Sequence, residues 1–322
     1  MQATDLYTSV KDDFTAVDAA IIEHLSSQVP LVEKIGQYII QSGGKRLRPL
    51  LVLLAARACG YQKDQHITLA VVVEFIHTAT LLHDDVVDTS DLRRGKPTAN
   101  NKWGNSSSVL VGDFLYSRAF QLLVAIGQVD VMDTLSNATN VIAEGEVLQL
   151  LNAKNPDVSE ADYLHVILGK TAMLFEAASQ TGAQLAHASA EQVDALRRFG
   201  RHLGIAFQLI DDLMDYAGNE ATMGKNVGDD LAEGKPTLPL IHAMACATDD
   251  ERTLIRQSIR QGSCEHINEI QAILIRCGSL DYTRARASQE TQDALACLKI
   301  IEDSAYKKSL IDLCTLALAR QN

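Results

Sequence analysis

Proline is scarce in this chain, with only 6 among 322 residues, and long stretches contain none. Alternating runs of β-branched residues are also rare, whereas alanine and leucine are abundant. Because proline interrupts helices and an alternating pattern is typical of a half-buried strand, these absences favour helix over sheet. The sequence therefore predicts an all-α fold, and its 47% hydrophobic residues supply a sizeable core.

Signals for export or membrane insertion are lacking as well. Residues Met1 to Val10 contain neither a basic segment nor an apolar run of the secretory kind. The longest apolar run, Pro49 to Ala56, is much shorter than the ~20 residues that a membrane-spanning helix needs. The 6 cysteines include no Cys-x-x-Cys pair, which favours free thiols in a reducing compartment. We therefore expect a soluble, cytoplasmic protein with no transmembrane segment.

The chain also lacks an excess of positive charge. Its formal net charge is -12 and its pI is about 5.2. A strongly acidic protein is a poor candidate for binding nucleic acid, so we expect no nucleic-acid partner. An anionic ligand would have to be bound by local basic residues or by a metal ion, because the overall field of the protein repels it.

Two aspartate clusters of the same form stand far apart in the chain, at Asp84–Asp88 (DDVVD) and Asp211–Asp215 (DDLMD). In each cluster the first and last aspartates are four residues apart in apolar, helix-like sequence. This spacing places both carboxylates on one face of a helix, where like charges repel each other. Carboxylate oxygens suit Mg2+, which binds one or two carboxylates together with substrate phosphates. We therefore predict that two acidic helix ends hold Mg2+ against a diphosphate.

Basic residues accompany both clusters. Arginine offers planar, bidentate contacts to phosphate, and lysine offers a point charge. One group would assist the Mg2+-bound diphosphate and comprises Lys170, Lys225 and Lys235. A second group would hold another diphosphate without metal and comprises Lys45, Arg48, His77 and Arg94. Backbone amides at Gly43-Gly44, where a helix is about to begin, would add to this anion site.

About a dozen helices are predicted, in a single domain that spans residues 1–322. Both aspartate clusters fall where a helix meets a loop. The predicted helices are Asp5 to Ser26, Pro49 to Cys59, His66 to Asp88, Ser106 to Ile126, Val129 to Leu151, Ser159 to His187 and Ala190 to Tyr216, followed by several amphipathic helices after Pro236. The predicted loops are Thr89 to Asn105, Asn152 to Val158 and the glycine-rich Gly218 to Lys235.

A set of stretches in this order makes the chain distinctive. They are GGKRLRP (Gly43–Pro49), EFIHTATLLHDDVVDTSDLRRG (Glu74–Gly95), VLVGDF (Val109–Phe114), IAEGEVLQL (Ile142–Leu150), GKT (Gly169–Thr171), FQLIDDLMDY (Phe207–Tyr216) and GKNVGDDLAEGKPTLP (Gly224–Pro239). Together they resemble the trans-polyprenyl diphosphate synthase family, above all its bacterial octaprenyl diphosphate synthases, over nearly the whole chain. The resemblance implies a single large helical bundle around a deep central cavity, usually assembled as a homodimer.

The resemblance also implies an enzyme, a prenyltransferase with Mg2+ as its cofactor, and assigns roles to matching positions. The metal ligands it implies are Asp84, Asp88, Asp211 and Asp215. The catalytic residues are these four together with Asp85, Asp212, Lys170, Thr171 and Gln208. The contacts to the allylic diphosphate are Arg93, Lys170, Thr171, Gln208, Lys225 and Lys235. The contacts to isopentenyl diphosphate are Lys45, Arg48, His77 and Arg94.

The expected chemistry follows from charge. Mg2+ neutralises the allylic diphosphate, whose departure leaves a carbocation that the isopentenyl double bond attacks before a proton is lost. Thr171 and Gln208 offer lone pairs near the cation, and apolar walls exclude water. Farnesyl diphosphate is the expected primer, and each cycle adds one isoprene unit.

Product length should depend on the residues below the first aspartate cluster. Ala79 and Thr80 lie one turn before Asp84 and Asp85 and are small, whereas short-chain members of the family place an aromatic residue near this position. We therefore expect a long cavity that passes Ile76 and Phe75. Its floor would lie deeper and involve Leu122, Leu123, Met132 or Leu135 on the next helices. This predicts octaprenyl diphosphate (C40) for a quinone side chain, with a solanesyl (C45) or shorter product as alternatives and a transient membrane contact as one route of release.

Other classes of protein share single features with this chain. Glu74 and His77 have the Glu-x-x-His spacing of di-iron helical bundles, but the second copy that such a site needs is missing, since Asp162 precedes His165 instead. A class I terpene cyclase also uses an aspartate-rich motif but needs no isopentenyl site. A regulatory subunit of a heteromeric synthase is the non-enzymatic alternative, and such subunits can lose aspartates that are all present here.

Overall fold

Helices account for about 80% of the chain, and the prediction of an all-α fold is confirmed. The computed structural model describes residues 3–217 and 227–319. Within these residues the strands are confined to a hairpin of β1 (Leu92–Arg93) and β2 (Lys96–Pro97). The two strands are antiparallel, with Leu92 opposite Pro97 and Arg93 opposite Lys96.

The helices of the described residues follow one another through short connections. In chain order they are α1 (Lys11–His24), α2 (Pro30–Gln41), α3 (Leu47–Ala58), α4 (Gln65–Val87), α5 (Ala99–Trp103), α6 (Asn105–Ile126), α7 (Val129–Asn152), α8 (Glu160–Ile167), α9 (Met173–Leu185), α10 (Ala190–Ala217), α11 (Asp229–Ala232), α12 (Leu238–Cys246), α13 (Asp249–Gln261), α14 (Ile267–Arg276), α15 (Ser279–Cys297) and α16 (Ala305–Ala319). Short 3-10 helices span Ala3–Val10 and Leu298–Ile300, and a π-helix spans Leu168–Ala172.

The predicted helix bounds are close to the observed ones for the helices that carry the aspartates, α4 and α10. Three differences have local causes. Helix α2 was not predicted, and Pro30 occupies its first turn, where a missing amide hydrogen costs nothing. The predicted helix from Ser159 to His187 is interrupted by the π-helix between α8 and α9. The predicted loop from Thr89 to Asn105 contains the hairpin and α5.

The chain forms two compact units. The first unit comprises Met1–Thr139, Leu174–Gly200 and Cys297–Leu313. Its core contains all of residues 50–56 of α3, which are fully buried. Helix α9 packs closely against α3 because Gly182 has no side chain, and a Cβ there would lie 2.7 Å from the carbonyl oxygen of Val52.

A buried polar network joins α1 to α3 and α4 within the first unit. Arg57 donates hydrogen bonds of 2.8 and 2.7 Å to the two carboxylate oxygens of Asp13. His66 is fully buried, and its Nε2 lies 3.0 Å from Oδ2 of Asp13. Arg57 also donates to the carbonyl of Tyr61 at 2.8 Å. The carboxylate of Asp13 therefore offsets the burial of two basic side chains.

The second unit comprises Asn140–Met173, Arg201–Ala296 and Cys314–Asn322. One of its hydrophobic clusters gathers Tyr216, Leu240, Ile255, Ile259 and Ile270. Two of its helices begin with capping boxes, in which a hydroxyl side chain and an acidic side chain satisfy each other's backbone amides. Ser159 and Asp162 form the box of α8, and Thr248 and Glu251 form that of α13.

Two helices are long and apolar enough to cross a membrane by length and composition alone. They are Gln65–Val87, whose most apolar window is 67% buried, and Asn105–Ile126, whose window is 39% buried. Core helices of soluble proteins meet the same criteria, so these two are weak evidence for a span. The expectation drawn from uninterrupted apolar runs overlooked them, because polar residues are interspersed along both helices.

Candidate active site

The first acidic cluster lies at the C-terminal end of α4, a helix of 23 residues. Asp84 and Asp88 are partly buried, and Asp85 is fully buried. Arg93 of the hairpin donates to Oδ1 of Asp85 through Nε at 2.8 Å and lies 2.7 Å from it through Nη2. The other oxygen, Oδ2 of Asp85, is buried and has no hydrogen-bond partner among the described residues. Arg93 thus positions Asp85, and a contact of Arg93 with a diphosphate stays a prediction.

The position of this cluster favours a bound cation. The C-terminal end of a helix carries a partial negative charge, so carboxylates there add to an unfavourable potential. Asp84, Asp85 and Asp88 offer hard oxygen donors of the kind that Mg2+ prefers. No group of three or more His, Cys, Asp or Glu side chains within residues 3–217 and 227–319 is arranged as a complete metal cage. This fits Mg2+, which usually keeps several waters and takes further ligands from substrate phosphates.

A group of basic side chains, the Arg48 group (Arg48, His77 and Arg94), also lies in the first unit. Nη1 of Arg48 lies 3.2 Å from Nε2 of His77, and its guanidinium stacks 4.4 Å above the ring of Phe175. Burial lowers the pKa of Arg48 to about 10, so it remains charged at neutral pH. Burial and then Arg48, Arg94 and Arg93 hold the pKa of His77 well below its usual value. Since arginine can only donate, neutral His77 accepts at Nε2 and carries its proton on Nδ1.

Two glycines just before α3 let Arg94, the third member of the Arg48 group, approach the backbone. Gly43 and Gly44 have φ of 92° and 131°. A Cβ at Gly44 would lie 2.6 Å from Nη1 of Arg94. Arg94 itself has φ of 53°, an unusual conformation for a residue with a side chain. Lys45, the other predicted ligand here, has an exposed side chain, and its carbonyl accepts a 2.5 Å hydrogen bond from Tyr7.

These contacts do not support the di-iron alternative. His77 is paired with Arg48 at 3.2 Å. An oxygen of Glu74 lies 3.9 Å from Nε of Arg46. The two residues with the Glu-x-x-His spacing therefore lie among arginines, whose charge opposes a metal cation.

The second acidic cluster lies at the C-terminal end of α10 in the second unit. Asp211 is exposed, whereas Asp212 and Asp215 are buried. Oδ2 of Asp215 accepts a 3.2 Å hydrogen bond from the amide of Asp230 at the start of α11. Burial, and secondly the Asp230 carboxylate, raise the pKa of Asp212 well above its usual value. In both clusters the first and last aspartates, the outer ones, flank an inner aspartate, Asp85 or Asp212, that other side chains bind.

A chain of hydrogen bonds fixes this inner carboxylate. Thr171 donates to Oε1 of Gln208 at 2.9 Å, and Nε2 of Gln208 donates to Oδ1 of Asp212 at 2.7 Å. The hydroxyl of Tyr163 donates to Oδ2 of Asp212 at 2.5 Å. Because the hydroxyl proton of Thr171 points to Gln208, the lone pairs of Thr171 remain available. Tyr163 was not predicted, since an aromatic residue in an apolar helix is usually a core residue.

The π-helix carries the predicted Lys170 and Thr171. Nζ of Lys170 donates to Oε2 of Glu146 at 2.6 Å. Helix α7 approaches this turn closely at Gly145, where a Cβ would lie 2.7 Å from the backbone nitrogen of Lys170. Glu146 was not assigned a role from the sequence, although it lies in the stretch IAEGEVLQL. Single π-turns inside helices are frequent at functional sites.

The remaining predicted site residues are dispersed. Lys235 pairs with Glu233, and Lys225 lies outside the described residues. Of the predicted chain-length residues, Phe75, Ile76, Ala79, Leu123 and Leu135 are almost fully buried in the first unit. Thr80 is partly buried and donates to the carbonyl of His77 at 2.8 Å. Leu122 is buried and Met132 is partly buried. Their role in setting product length stays a prediction.

Known proteins resemble this chain over its whole length. A model of the polyprenyl synthetase family matches residues 29–275. Octaprenyl diphosphate synthase of Escherichia coli (strain K12) is 52% identical over 309 residues, which cover 96% of each chain. All-trans-nonaprenyl-diphosphate synthase (geranyl-diphosphate specific) of Rhodobacter capsulatus is 49% identical over 317 residues, which cover 98% of this chain and 97% of that one.

Among solved structures, a decaprenyl diphosphate synthase from Rhodobacter capsulatus superposes with a TM-score of 0.95, 46% identity and 100% coverage of both chains. The resemblance predicted from the sequence is thus confirmed.

Proposed function

Since this chain belongs to the polyprenyl synthetase family and is a long-chain trans-prenyltransferase, we propose that it extends farnesyl diphosphate with isopentenyl diphosphate to octaprenyl diphosphate. The observation that carries the proposal is the pair of acidic helix ends. Each presents outer carboxylates beside a buried one, Asp85 or Asp212, that neighbouring side chains hold by hydrogen bonds. Each such end suits the binding of Mg2+ together with oxygens of a diphosphate.

We propose that Asp84 and Asp88, and Asp211 and Asp215, bind Mg2+ for the allylic diphosphate. When bound, Mg2+ neutralises the diphosphate and makes it a better leaving group. A neighbouring structure, a polyprenyl synthase from Caulobacter crescentus, is complexed with calcium and isoprenyl diphosphate, with a TM-score of 0.95 and 42% identity over 100% of this chain and 98% of that one. Calcium and magnesium are both hard cations that prefer oxygen ligands, which supports this use of the aspartates.

The Arg48 group would bind isopentenyl diphosphate without metal. Arg48 and Arg94 supply the charge, and neutral His77 donates through Nδ1 or orients Arg48 through Nε2. Lys45 extends the same basic segment. Isopentenyl diphosphate is homoallylic, so its diphosphate does not leave readily, and arginines that hold this diphosphate by charge-assisted hydrogen bonds leave the double bond available as a nucleophile.

Residues of the second unit would stabilise the carbocation and bind the departing diphosphate. Thr171 is oriented by its hydrogen bond to Gln208, so that its oxygen lone pairs face away from that contact. Lys170, held by Glu146, and Lys235 would contact the departing diphosphate. After the carbon–oxygen bond breaks, the isopentenyl double bond attacks the allylic cation, and the proton lost from the new cation goes to the released diphosphate. Apolar walls keep water from the cation.

Product length is proposed from two observations. Ala79 is small and fully buried one turn below Asp84, so the helix offers no aromatic obstacle there. The relative named for an octaprenyl product is 52% identical, against 49% for one named for a nonaprenyl product. We propose the C40 product, made for a quinone side chain.

We also propose the compartment of the enzyme and its oligomeric state. All 6 cysteines are free thiols, which suits the reducing cytoplasm.

Helix α6 has three exposed apolar side chains. Val109, Leu110 and Val124 are 37%, 66% and 61% exposed. Exposed apolar side chains along one helix mark an interaction surface, and we propose that this one joins two copies of the chain as a homodimer.

The test is incubation of the purified chain with labelled isopentenyl diphosphate, farnesyl diphosphate and Mg2+, followed by sizing of the dephosphorylated product. We expect a dominant C40 product, and none when EDTA removes the metal. Asp84→Ala should lower turnover by more than about 100-fold through loss of electrostatic stabilisation. It should leave thermal unfolding nearly unchanged, because a repelling charge is removed.

Asp133→Ala is the matched control, since Asp133 is exposed on α7, and we expect it to keep full activity. A dominant C15 or C20 product would contradict the proposed length. Absence of turnover by the single chain with all substrates present would contradict the enzyme itself and favour the regulatory-subunit alternative.

A further inference from the structure

Glu74 is a buried carboxylate to which the proposed reaction assigns no role. It lies on α4, three residues before His77. Its side chain is 10% exposed. Its Oε2 is buried without a hydrogen-bond partner among the described residues. The nearest cation is Nε of Arg46, 3.9 Å from Oε1, which is too long for a hydrogen bond. Burying a carboxylate in this way is costly unless the carboxylate is neutral or its charge is used.

The charges around Glu74 come from three neighbouring elements. Arg46 and Arg48 come from the start of α3 and Arg94 from the hairpin, and all three favour its ionised form. Asp18 of α1, which is hydrogen-bonded to Arg46, opposes it. Burial outweighs the arginines and raises the pKa of Glu74 to about 7. Near neutral pH this carboxyl therefore lies close to the balance between its two protonation states.

Two of these arginines belong to the Arg48 group, the proposed isopentenyl diphosphate site. A diphosphate bound there brings several negative charges to the same guanidinium groups that Glu74 faces. A nearby like charge disfavours the ionised form of a carboxylate. Binding of the anion and ionisation of Glu74 therefore compete for the same cations.

We propose that Glu74 is a positioning residue of this site, whose carboxylate partly offsets the charge of Arg48 and Arg94 in the free enzyme and takes up a proton from solvent when a diphosphate binds them. The proton adds to the Glu74 carboxylate, and no other bond is made or broken. Isopentenyl diphosphate binding is thereby coupled to pH through a group that never touches the substrate. The inference depends on the proposed function, because it needs a diphosphate at the Arg48 group.

The sign of the coupling follows from linkage. The folded pKa of Glu74 is raised from 4.5 to about 7 in the free enzyme, and the bound anion raises it further. Below about pH 7 Glu74 is already protonated, so binding is independent of its titration. Above this pH binding must add the proton, so affinity falls as pH rises, by up to about tenfold per pH unit between the two pKa values.

The experiment is calorimetric titration of the whole enzyme with isopentenyl diphosphate, without an allylic primer and with EDTA present. Titrations near pH 7.5 in buffers of different ionisation enthalpy give the number of protons taken up. Wild type should take up more protons than Glu74→Gln, by up to about three quarters of a proton, because that fraction of a carboxyl with a pKa of about 7 is ionised at pH 7.5. The dissociation constant of wild type should also rise more steeply from pH 6.5 to 8.5. Titration of the ligand itself is common to both proteins and cancels in the comparison.

Glu176→Gln is the matched control, because Glu176 is another buried glutamate and its carboxylate pairs with Arg197 at 3.1 Å. It should retain the proton uptake of wild type. Equal proton uptake by wild type and Glu74→Gln would overturn the inference, as would a loss of affinity in the Gln variant that is the same at every pH. Failure of wild type to bind isopentenyl diphosphate at all would instead contradict the proposed function.

A measurement on wild type alone covers the case in which Glu74→Gln does not fold. The infrared difference spectrum between free and isopentenyl diphosphate-bound enzyme at pH 7.5 should gain the carbonyl band of a protonated carboxyl group. Absence of that band with saturating ligand would also overturn the inference.

Discussion

Buried carboxylates in this protein are held by a few identifiable side chains. Asp85 is held by Arg93, and Asp212 by Tyr163 and Gln208. In both clusters the outer aspartates are more exposed than the inner one that these side chains bind, although Asp215 is itself buried. The inner aspartate thus ties the helix end to its surroundings, which fixes the direction of the outer carboxylates.

Removal of one such contact should affect both stability and turnover. Tyr163→Phe deletes a 2.5 Å hydrogen bond and leaves Oδ2 of Asp212 buried, which should lower the free energy of unfolding by about 1–3 kcal/mol. Turnover should fall about tenfold or more, because residues that orient metal-binding carboxylates have effects of this size. Denaturant unfolding and steady-state kinetics measure the two effects.

Tyr282→Phe is the control for this change. It removes a 2.8 Å hydrogen bond between a tyrosine and a carboxylate in the same unit, that of Glu160, which belongs to neither aspartate cluster. It should cost stability but leave turnover unchanged. If both phenylalanine variants kept full turnover, the orientation of Asp212 would not matter for the reaction.

At the scale of single residues, the sequence indicated the reactive groups but not their partners. Asp84 and Asp211 could be predicted as metal ligands, because each lies four residues before another aspartate on the same helix face. Such like charges repel each other unless a cation binds between them. Tyr163 and Glu146 could not, since their contacts join segments 49 and 24 residues apart in the chain. Nothing in a local pattern distinguishes such a tyrosine or glutamate from an ordinary one.

At the scale of elements, the π-helix between α8 and α9 is the feature with the most local consequence. It presents Lys170 and Thr171 from consecutive positions, and α7 passes close beside it at Gly145. The sequence predicted one continuous helix here, because a single extra residue in a turn leaves the apolar periodicity almost unchanged. By contrast, the ends of α4 and α10 were predictable from the loops that follow them.

Closer packing at this turn should be disruptive. In Gly145→Ala the new Cβ would lie 2.7 Å from the Lys170 nitrogen and 2.9 Å from the Gly169 carbonyl carbon, and backbone atoms cannot rotate away. Overpacking should cost about 1–3 kcal/mol, offset in part by about 1 kcal/mol of helix propensity. Turnover should fall with it, because Lys170 and Thr171 are displaced.

Gly36→Ala is a matched change on α2. There the Cβ would meet Cδ2 of Leu25 at 2.7 Å, the far end of a side chain that can move. We expect nearly normal kinetics and a small change in melting temperature for this variant. A Gly145→Ala enzyme as active as Gly36→Ala would show that the π-helix tolerates displacement.

At the scale of the whole molecule, the proposed homodimer is the main property still to be measured. Leu110→Arg places a charge on the exposed apolar side of α6, where Leu110 is 66% exposed. We expect this variant to sediment as a single chain of 35.1 kDa, because a charge buried without a partner at an interface is strongly unfavourable. Wild type should sediment at twice that mass.

Ile275→Arg tests the alternative that any added charge has this effect. Ile275 is 68% exposed on α14, so the substitution is the same in kind and in exposure. It should leave the dimer intact. A monomeric wild type, or a dimeric Leu110→Arg variant, would contradict the assignment of this surface.

The all-helical fold was predictable because composition and periodicity act over the whole chain and tolerate local errors. The division into two units was not, because α7, α9, α10, α15 and α16 each contribute residues to both. No linker, glycine-rich or proline-rich, marks where one unit gives way to the other. The two units arise from contacts between segments that are distant in the chain, and composition does not predict such contacts.

The contact of Asp13 with Arg57 and His66 bears on how the chain can be shortened. The match to the family model starts at residue 29, so a trimmed version beginning there would look complete by alignment. It would nevertheless lack Asp13, so the guanidinium of Arg57 and the imidazole of His66 would remain in the interior without the carboxylate that they contact. Anyone preparing a minimal version of this enzyme should therefore begin upstream of α1, since what the alignment omits is an anchor for what it includes.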